Sequence, residues 1–190
     1  DDLIFGGGLL DVLQGGDGND TIEGGAGGDA HAGGDGIDEL SYASDTTGVN
    51  VNLQNNTASG GDAAGDVISN FENLIGGSAD DQLYGNTGAN TIIAGNGNDS
   101  IYGDSGADSI LGSSGDNSLS GGAGSANDTL NGADGNDSLN GGAGNDSLIG
   151  GNGTDLADYS NATSDVTVSL NDVGNGTGVR VVDGSNNTTI

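Results

Sequence analysis

One nine-residue pattern, G-G-x-G-x-D-x-(Leu/Ile)-x, recurs down most of the 190-residue chain and appears in full as GGDGNDTIE at residues 15–23. Aligned on its acid, it runs through residues 6–14, 15–23, 24–32 and 33–41, then from 76 to 158, with fragments at 1–5 and 71–75. One unit, 121–131, carries two extra residues, Ser125 and Ala126, expected to bulge its loop. Position 6 is Asp2, Asp11, Asp20, Asp29, Asp38, Asp81, Asp99, Asp108, Asp128, Asp137, Asp146 or Asp155; its exceptions, Glu72, Asn90 and Asn117, are still oxygen donors. Position 8 is Ile or Leu except at His31 and Ala157. Acidic low-complexity chains are ordinarily solvated and disordered. Two positions kept this strictly argue instead for a repeated fold.

Each position has a physical reason. Glycine reaches positive φ cheaply, so three in four residues let the loop curl and turn its carbonyls inward, as at Gly16, Gly18, Gly142 and Gly144. Asp adds a hard, anionic oxygen. The Ile or Leu two residues later lies on the same side of an extended segment, where it stacks on its equivalents. A strand of about three residues cannot bury its one apolar side chain alone, so the units must stack. Ligands that are all oxygen, carboxylate plus carbonyl, select Ca²⁺ over zinc or copper. Magnesium suits them less, because it demands near-ideal octahedral geometry. An EF-hand is rejected, since no Glu closes a loop at its spacing.

Composition narrows the functions. The formal charge is −28, with Arg180 the only basic side chain, expected to form a surface ion pair. Nucleic acid needs clustered Lys and Arg, and anionic membrane surfaces would be repelled. Without Cys there is no disulfide framework or thiolate site, and no apolar run is long enough to span a membrane. Only 31% of residues are hydrophobic, so a conventional globular core would be thin. His31 is the single histidine and cannot build a triad; it reads as a tolerated, half-buried imidazole. Acids recurring every nine residues fit an array of like groups better than a differently tuned catalytic pair. The glycine loops lack the G-x-x-x-x-G-K-[ST] phosphate cradle. The sequons at Asn19 and Asn136 follow from the repeat itself. The chain is expected to be non-enzymatic.

The units GGDGNDTIE, GGDGIDELS, GGAGNDSLI and GADGNDSLN resemble the RTX (repeats-in-toxin) nonapeptide. The resemblance implies an all-β fold, a parallel β-roll or β-helix solenoid with two repeats per turn and Ca²⁺ between stacked loops. Repeats two apart would then share an ion: Asp2–Asp20, Asp11–Asp29 and Asp20–Asp38, then Asp81–Asp99, Asp108–Asp128, Asp128–Asp146 and Asp137–Asp155. About 8–11 ions are implied. Leu9 replaces a loop glycine, so the 6–11 loop is expected to bind poorly or to form an end. Glu72, Asn90 and Asn117 should make the weaker sites. Export by type I secretion and an extracellular or cell-surface location also follow from the resemblance.

Four segments are expected: repeats at 1–41, a β insert at 42–70, repeats at 71–158, and the start of a second insert at 159–190. In the insert Val49, Val51 and Leu53 alternate as a half-buried strand, and SGGDAAGD reads as a turn. The insert is expected to ornament the roll's side or end, with ligand binding as the alternative. Asp38 onward matches Asp155 onward, placing Tyr42 on Tyr159 and Val49, Val51 and Leu53 on Val166, Val168 and Leu170. This 117-residue period, with a unit cut at each end, suggests a piece of a longer tandem protein. The expected function is a calcium-binding structural module of a large secreted or surface protein, such as an adhesin, filament or surface-layer component. Neighbouring copies would be its partners in an array. The alternative is the C-terminal module of a secreted lipase, protease or epimerase. Ice binding is disfavoured, because Thr87 stands alone where a regular file of threonines is needed.

Overall fold

The computed structural model describes residues 1–161 and 180–183. Nearly every nonapeptide contributes one strand. The first run supplies β1 (Leu3–Gly7), β2 (Val12–Asp17), β3 (Thr21–Gly25), β4 (Ala30–Asp35) and β5 (Glu39–Ser41). Residues 42–70 supply β6 (Asn50–Asn52), β7 (Thr57–Ser59) and β8 (Val67–Ser69). The second run begins with β9 (Asn73–Ile75), β10 (Gln82–Tyr84), β11 (Thr91–Asn96), β12 (Ser100–Tyr102) and β13 (Ser109–Ser114). It continues with β14 (Ser118–Ser120), β15 (Thr129–Asp134), β16 (Ser138–Asn140), β17 (Ser147–Asn152) and β18 (Leu156–Tyr159), beside which lies β19 (Arg180–Asp183).

Successive repeats alternate between two sheets. One runs β1-β3-β5-β9-β11-β13-β15-β17 and is parallel throughout. The other runs β19-β18-β16-β14-β12-β10-β6-β7-β8-β4-β2. Two repeats therefore make one turn of a parallel solenoid, as Ile92 pairing with Ile110, then Leu130, then Leu148 illustrates. The two extra residues at Ser125–Ala126 leave no slip, since Ser109 still pairs with Thr129.

The core is the file of position-8 side chains. Ile22, Leu40, Leu74, Leu83, Ile92, Ile101, Ile110, Leu119, Leu130 and Leu139 are all buried between the sheets. Each is worth about 1.5–3 kcal/mol once buried, but only when a neighbouring turn covers it. At the β1 and β2 edges one covering turn is missing and the position-8 side chains Ile4 and Leu13 are only partly buried; Leu3, Phe5 and Val12, on the opposite strand face, and Leu9 and Leu10 in the loop are exposed. The Leu9 loop thus lies at an end of the described roll.

The expectation that residues 42–70 ornament the roll's side or end is corrected. β6 pairs in parallel with β10, matching Val51 to Leu83, and β8 pairs in parallel with β4, matching Ile68 to His31. Val51 and Ile68 thereby continue the core file, while β7 joins them by antiparallel pairing. The opposite sheet passes directly from β5 to β9, gaining no strand. Tyr42, Val49, Leu53, Ala63 and Phe71 fill the interior beside these three strands. The SGGDAAGD stretch contains a short 3-10 turn at Gly61–Ala63, as its composition implies. For the second copy, Val166, Val168 and Leu170 lie outside the described residues, as does the side chain of Arg180.

Candidate metal centre

The position-6 side chains form a ladder along the roll. Each carboxylate accepts, on Oδ1, the backbone N–H of the position-6 residue one turn earlier. The bonds run from Asp2 to Asp20 (2.6 Å), Asp11 to Asp29 (2.8 Å) and Asp20 to Asp38 (2.8 Å). Beyond the interruption they run from Asp81 to Asp99, Asn90 to Asp108, Asp99 to Asn117 and Asp108 to Asp128. The file ends with Asn117 to Asp137, Asp128 to Asp146 and Asp137 to Asp155. All seven carboxylate pairs expected from repeats two apart are therefore brought together.

The second carboxylate oxygen is the informative one. Oδ2 of Asp20, Asp29, Asp38, Asp99, Asp108 and Asp137 is buried and has no hydrogen-bond partner. Buried polar atoms are seldom left unpaired, and a carboxylate oxygen least of all. These oxygens converge with loop carbonyls against the first glycine of each repeat. A Cβ built on Gly103 would collide with Asp108 Oδ2 and lie 2.7 Å from the Gly121 oxygen; one on Gly15 would collide with Asp20 Oδ2 and lie 2.5 Å from that of Gly33. Glycine leaves such a cradle of hard oxygens open, and Ala94 takes that place in the repeat of Asp99.

Other loop carbonyls abut the loop one turn away. The Gly16 and Gly18 oxygens press on the α-carbons of Gly34 and Gly36 one turn on. Gly142 and Gly144 receive the oxygens of Gly122 and Ala126 in the same way. Gly16 and Gly34 take φ of 101° and 127°, conformations that cost glycine little.

These donors and their spacing agree with a sequence comparison. The model of the RTX calcium-binding nonapeptide repeat matches in four copies, at residues 5–40, 75–110, 102–125 and 123–157. The chain belongs to the RTX calcium-binding nonapeptide repeat family. A search of curated proteins gave no match. The RTX repeats bind calcium, and multiple Ca²⁺ ions are implied. Among the described residues no three His, Cys, Asp or Glu side chains gather as a metal cluster.

The RTX ladder is not uniform. Asn90 donates from Nδ2 to the Glu72 carbonyl at 2.5 Å, and Asn117 donates to that of Gly115 at 3.0 Å. The Asn90 amide takes a position-6 carbonyl that in other repeats accepts a backbone N–H from the next turn, as Asp2 does from Thr21 and Asp81 from Ser100. Asp81 is also tied, accepting from Val49 N–H on Oδ1 and from Gly77 N–H on Oδ2. Glu72 accepts the Asp38 N–H at 2.9 Å, so Asp38 does find an outer partner across the interruption.

One ladder member was missed in the sequence. Asp66 is buried and accepts the Asp29 N–H at 2.8 Å, in the place of a position-6 acid. Its signal is Asp66-Val67-Ile68, the D-x-Ile of a repeat unit; Asp62 and Ala64 hide it where loop glycines are expected. A second ladder, at position 5, also went unread. There the bonds run the opposite way, from Asn98 N–H to Asp80, Asp116 N–H to Asn98, and Asn136 N–H to Asp116. Ile37 N–H bonds to Asn19 and Thr154 N–H to Asn136 likewise, giving these two sequon asparagines a structural task.

Burial sets the electrostatics. It raises the carboxyls of Asp81, Asp128 and Asp137 above the ordinary range, and takes Asp99 and Asp108 up to about 6. Neighbouring carboxylates push the same way, Asp81 and Asp80 on Asp99, and Asp128 and Asp104 on Asp108; the ladder N–H bonds oppose them. Burial also lowers the imidazole of His31 against the pull of Asp66 and Asp29, which keeps the ring neutral.

Proposed function

We propose that this chain is an extracellular calcium-binding structural module of a large secreted or surface protein, of adhesin, filament or surface-layer type, that folds when calcium binds. The observation that carries this reading is the file of buried, unpartnered carboxylate oxygens beside loop carbonyls. The proposed ligands are Oδ2 of Asp20, Asp29, Asp38, Asp99, Asp108 and Asp137, with Asp128, Asp146 and Asp155 in equivalent places and Asp2 and Asp11 at the outer edge. Asp81, Glu72, Asn90 and Asn117 would hold calcium more weakly, because their oxygens or nearby carbonyls are already engaged. Bound calcium supplies the positive charge that the stacked carboxylates lack. The chain's own part is to set hard oxygens at a repeat of one turn.

Repeats of this family are typical of secreted bacterial proteins, and no helix among the described residues is long and apolar enough to cross a membrane. The solenoid is a structural repeat fold, which suggests a role without catalysis. The strongly negative surface would keep a folded array soluble and deter nonspecific adhesion. Neighbouring copies in such an array are the proposed macromolecular partners. Metal counting after dialysis against millimolar calcium should return about 8–11 ions per chain. The same sample should resist a protease that digests the chelated chain. A count of about two or fewer, with no protection, would contradict the reading.

A further inference from the structure

His31 breaks the oxygen-only pattern of the roll. It is the only histidine of the chain, stands at position 8 of its repeat in β4, and is buried between Leu13 and Ile68 in the core file. Neither ring nitrogen has a hydrogen-bond partner. A neutral imidazole carries one donor and one acceptor, and burial leaves both unmet here.

The two nitrogens face different groups. Nδ1 lies 3.8 Å from Oδ2 of Asp66. That carboxylate is held in place by the Asp29 N–H at 2.8 Å and by the Tyr42 hydroxyl, which donates to Oδ2 at 2.9 Å. Nε2 points the other way, onto the α-carbon of Gly24. A Cβ there would collide with Nε2 and lie 2.6 Å from Oδ2 of Asp29, which is itself buried and unpartnered. At Gly15, Gly103 and Gly121 the corresponding place is shared by a carboxylate and a carbonyl one turn on. Beside Gly24 the position-8 side chain, which at Gly76 is the apolar Leu83, brings an imidazole nitrogen instead, and Nε2 and Asp29 Oδ2 are the two nearest polar atoms.

We propose that Asp29 Oδ2 and His31 Nε2 hold a borderline divalent transition cation of the zinc class, in a roll whose other cradles are built from oxygen and suited to calcium. Imidazole suits zinc, nickel and copper, whereas carboxylate and carbonyl oxygens alone suit calcium. Asp66 is the positioning residue, facing the second ring nitrogen as carboxylates do behind metal-bound histidines. With two side-chain donors, the remaining coordination falls to backbone oxygens and water, so binding is weaker than at a closed four-ligand zinc site. The proposal rests on the calcium reading for the folded roll and takes one oxygen from it, Asp29 Oδ2, which would serve the zinc-class ion in place of calcium. Its failure is still separable from that of the calcium reading: circular dichroism of the same sample reports whether the roll has formed.

The test titrates Zn²⁺ into the full chain kept saturated with Ca²⁺, followed by calorimetry and by NMR of the single imidazole. One ion per chain should bind, and the His31 ring resonances should move with it. His31→Leu restores the usual position-8 residue, so it should fold, and it should lower zinc affinity at least about tenfold. Asp66→Asn should lower it by about 10–100-fold while leaving the imidazole resonances responsive to saturating zinc. Equal zinc binding by His31→Leu would overturn the proposal, since it would place the ion in the oxygen cradles. Imidazole resonances that ignore zinc in the folded chain would overturn it as well.

Discussion

Asn90 and Asn117 show how much a single atom matters in a repeat this short. Asn117 keeps the ladder oxygen, accepting the Asp99 N–H, whereas the Asn90 oxygen accepts the Asn86 N–H; each replaces the second oxygen with an NH₂ that donates to a backbone carbonyl. One change thus removes a charge and puts an N–H donor where a hard oxygen stood. Restoring Asp at both positions should raise calcium affinity and the midpoint temperature of the calcium-loaded chain; calorimetry showing neither would contradict the ligand assignment. Position 2 offers a second probe. Ser113 and Ala133 hold φ of 77° and 75°, where an L-residue is strained and glycine is not. Ala133→Gly should stabilise the calcium-loaded roll by roughly 1 kcal/mol, read as a higher melting temperature, whereas a lower one would argue against strain at this loop.

The raised carboxyls add a pH dependence at the same scale. Asp99 and Asp108 titrate near 6 in the metal-free fold and near 3.9 in the unfolded chain. A group whose folded pKa is raised stabilises the fold fully below its unfolded value, and that stability is lost as pH rises through the folded one. The chelated chain should therefore gain β structure on acidification from pH 7 toward 4. Calcium affinity should fall over the same interval, because protons and calcium compete for these oxygens. A chelated chain whose circular dichroism is flat across that range would contradict the burial of these carboxyls.

Among the elements, the interruption is where sequence and structure part. Val49, Val51 and Leu53 were legible as a half-buried strand, because alternation is a local signal, and all three are buried. The insertion of β6, β7 and β8 into the sheet was not legible. It depends on Val51 and Ile68 meeting Leu83 and His31, residues 32 and 37 positions away, and no local pattern encodes such a register. Asp66 was hidden for a different reason: substituted loop glycines disguised a D-x-Ile that still performs the ladder's task. The repeats themselves were readable because each position answers to one cause, a loop, a donor or a core contact, and does so many times. The partition of the ladder into free and engaged oxygens was unreadable, since it turns on which N–H or amide reaches each carboxylate. The insert's stability can be tested at Tyr42, whose buried hydroxyl donates to Asp66. Tyr42→Phe should cost about 1–3 kcal/mol in the calcium-loaded chain, with the loss seen first as hydrogen exchange in β6 to β8. Exchange rates unchanged in those strands would show that this bond does not pin the insert.

For the whole molecule, the same stacking that builds the core assembles the charge. Outside the Asn90 and Asn117 steps, the turns place one position-6 carboxylate over another, each pair costing on the order of 1–4 kcal/mol at effective dielectrics between 80 and 20. One Ile or Leu per nonapeptide returns too little to order nine backbones as well. Calcium changes the sign of the electrostatic contribution, and its binding free energy becomes folding free energy. Extracellular calcium modules typically bind at 10⁻⁴–10⁻³ M, so the chain would stay unfolded at cytosolic calcium and fold outside the cell. The direct measurement is circular dichroism with small-angle scattering of the full chain at neutral pH, first in chelator and then across a calcium titration. The account predicts an expanded, disordered chain that condenses to a β-rich rod near millimolar calcium; a compact, β-rich chain in chelator, unchanged by calcium, would contradict it.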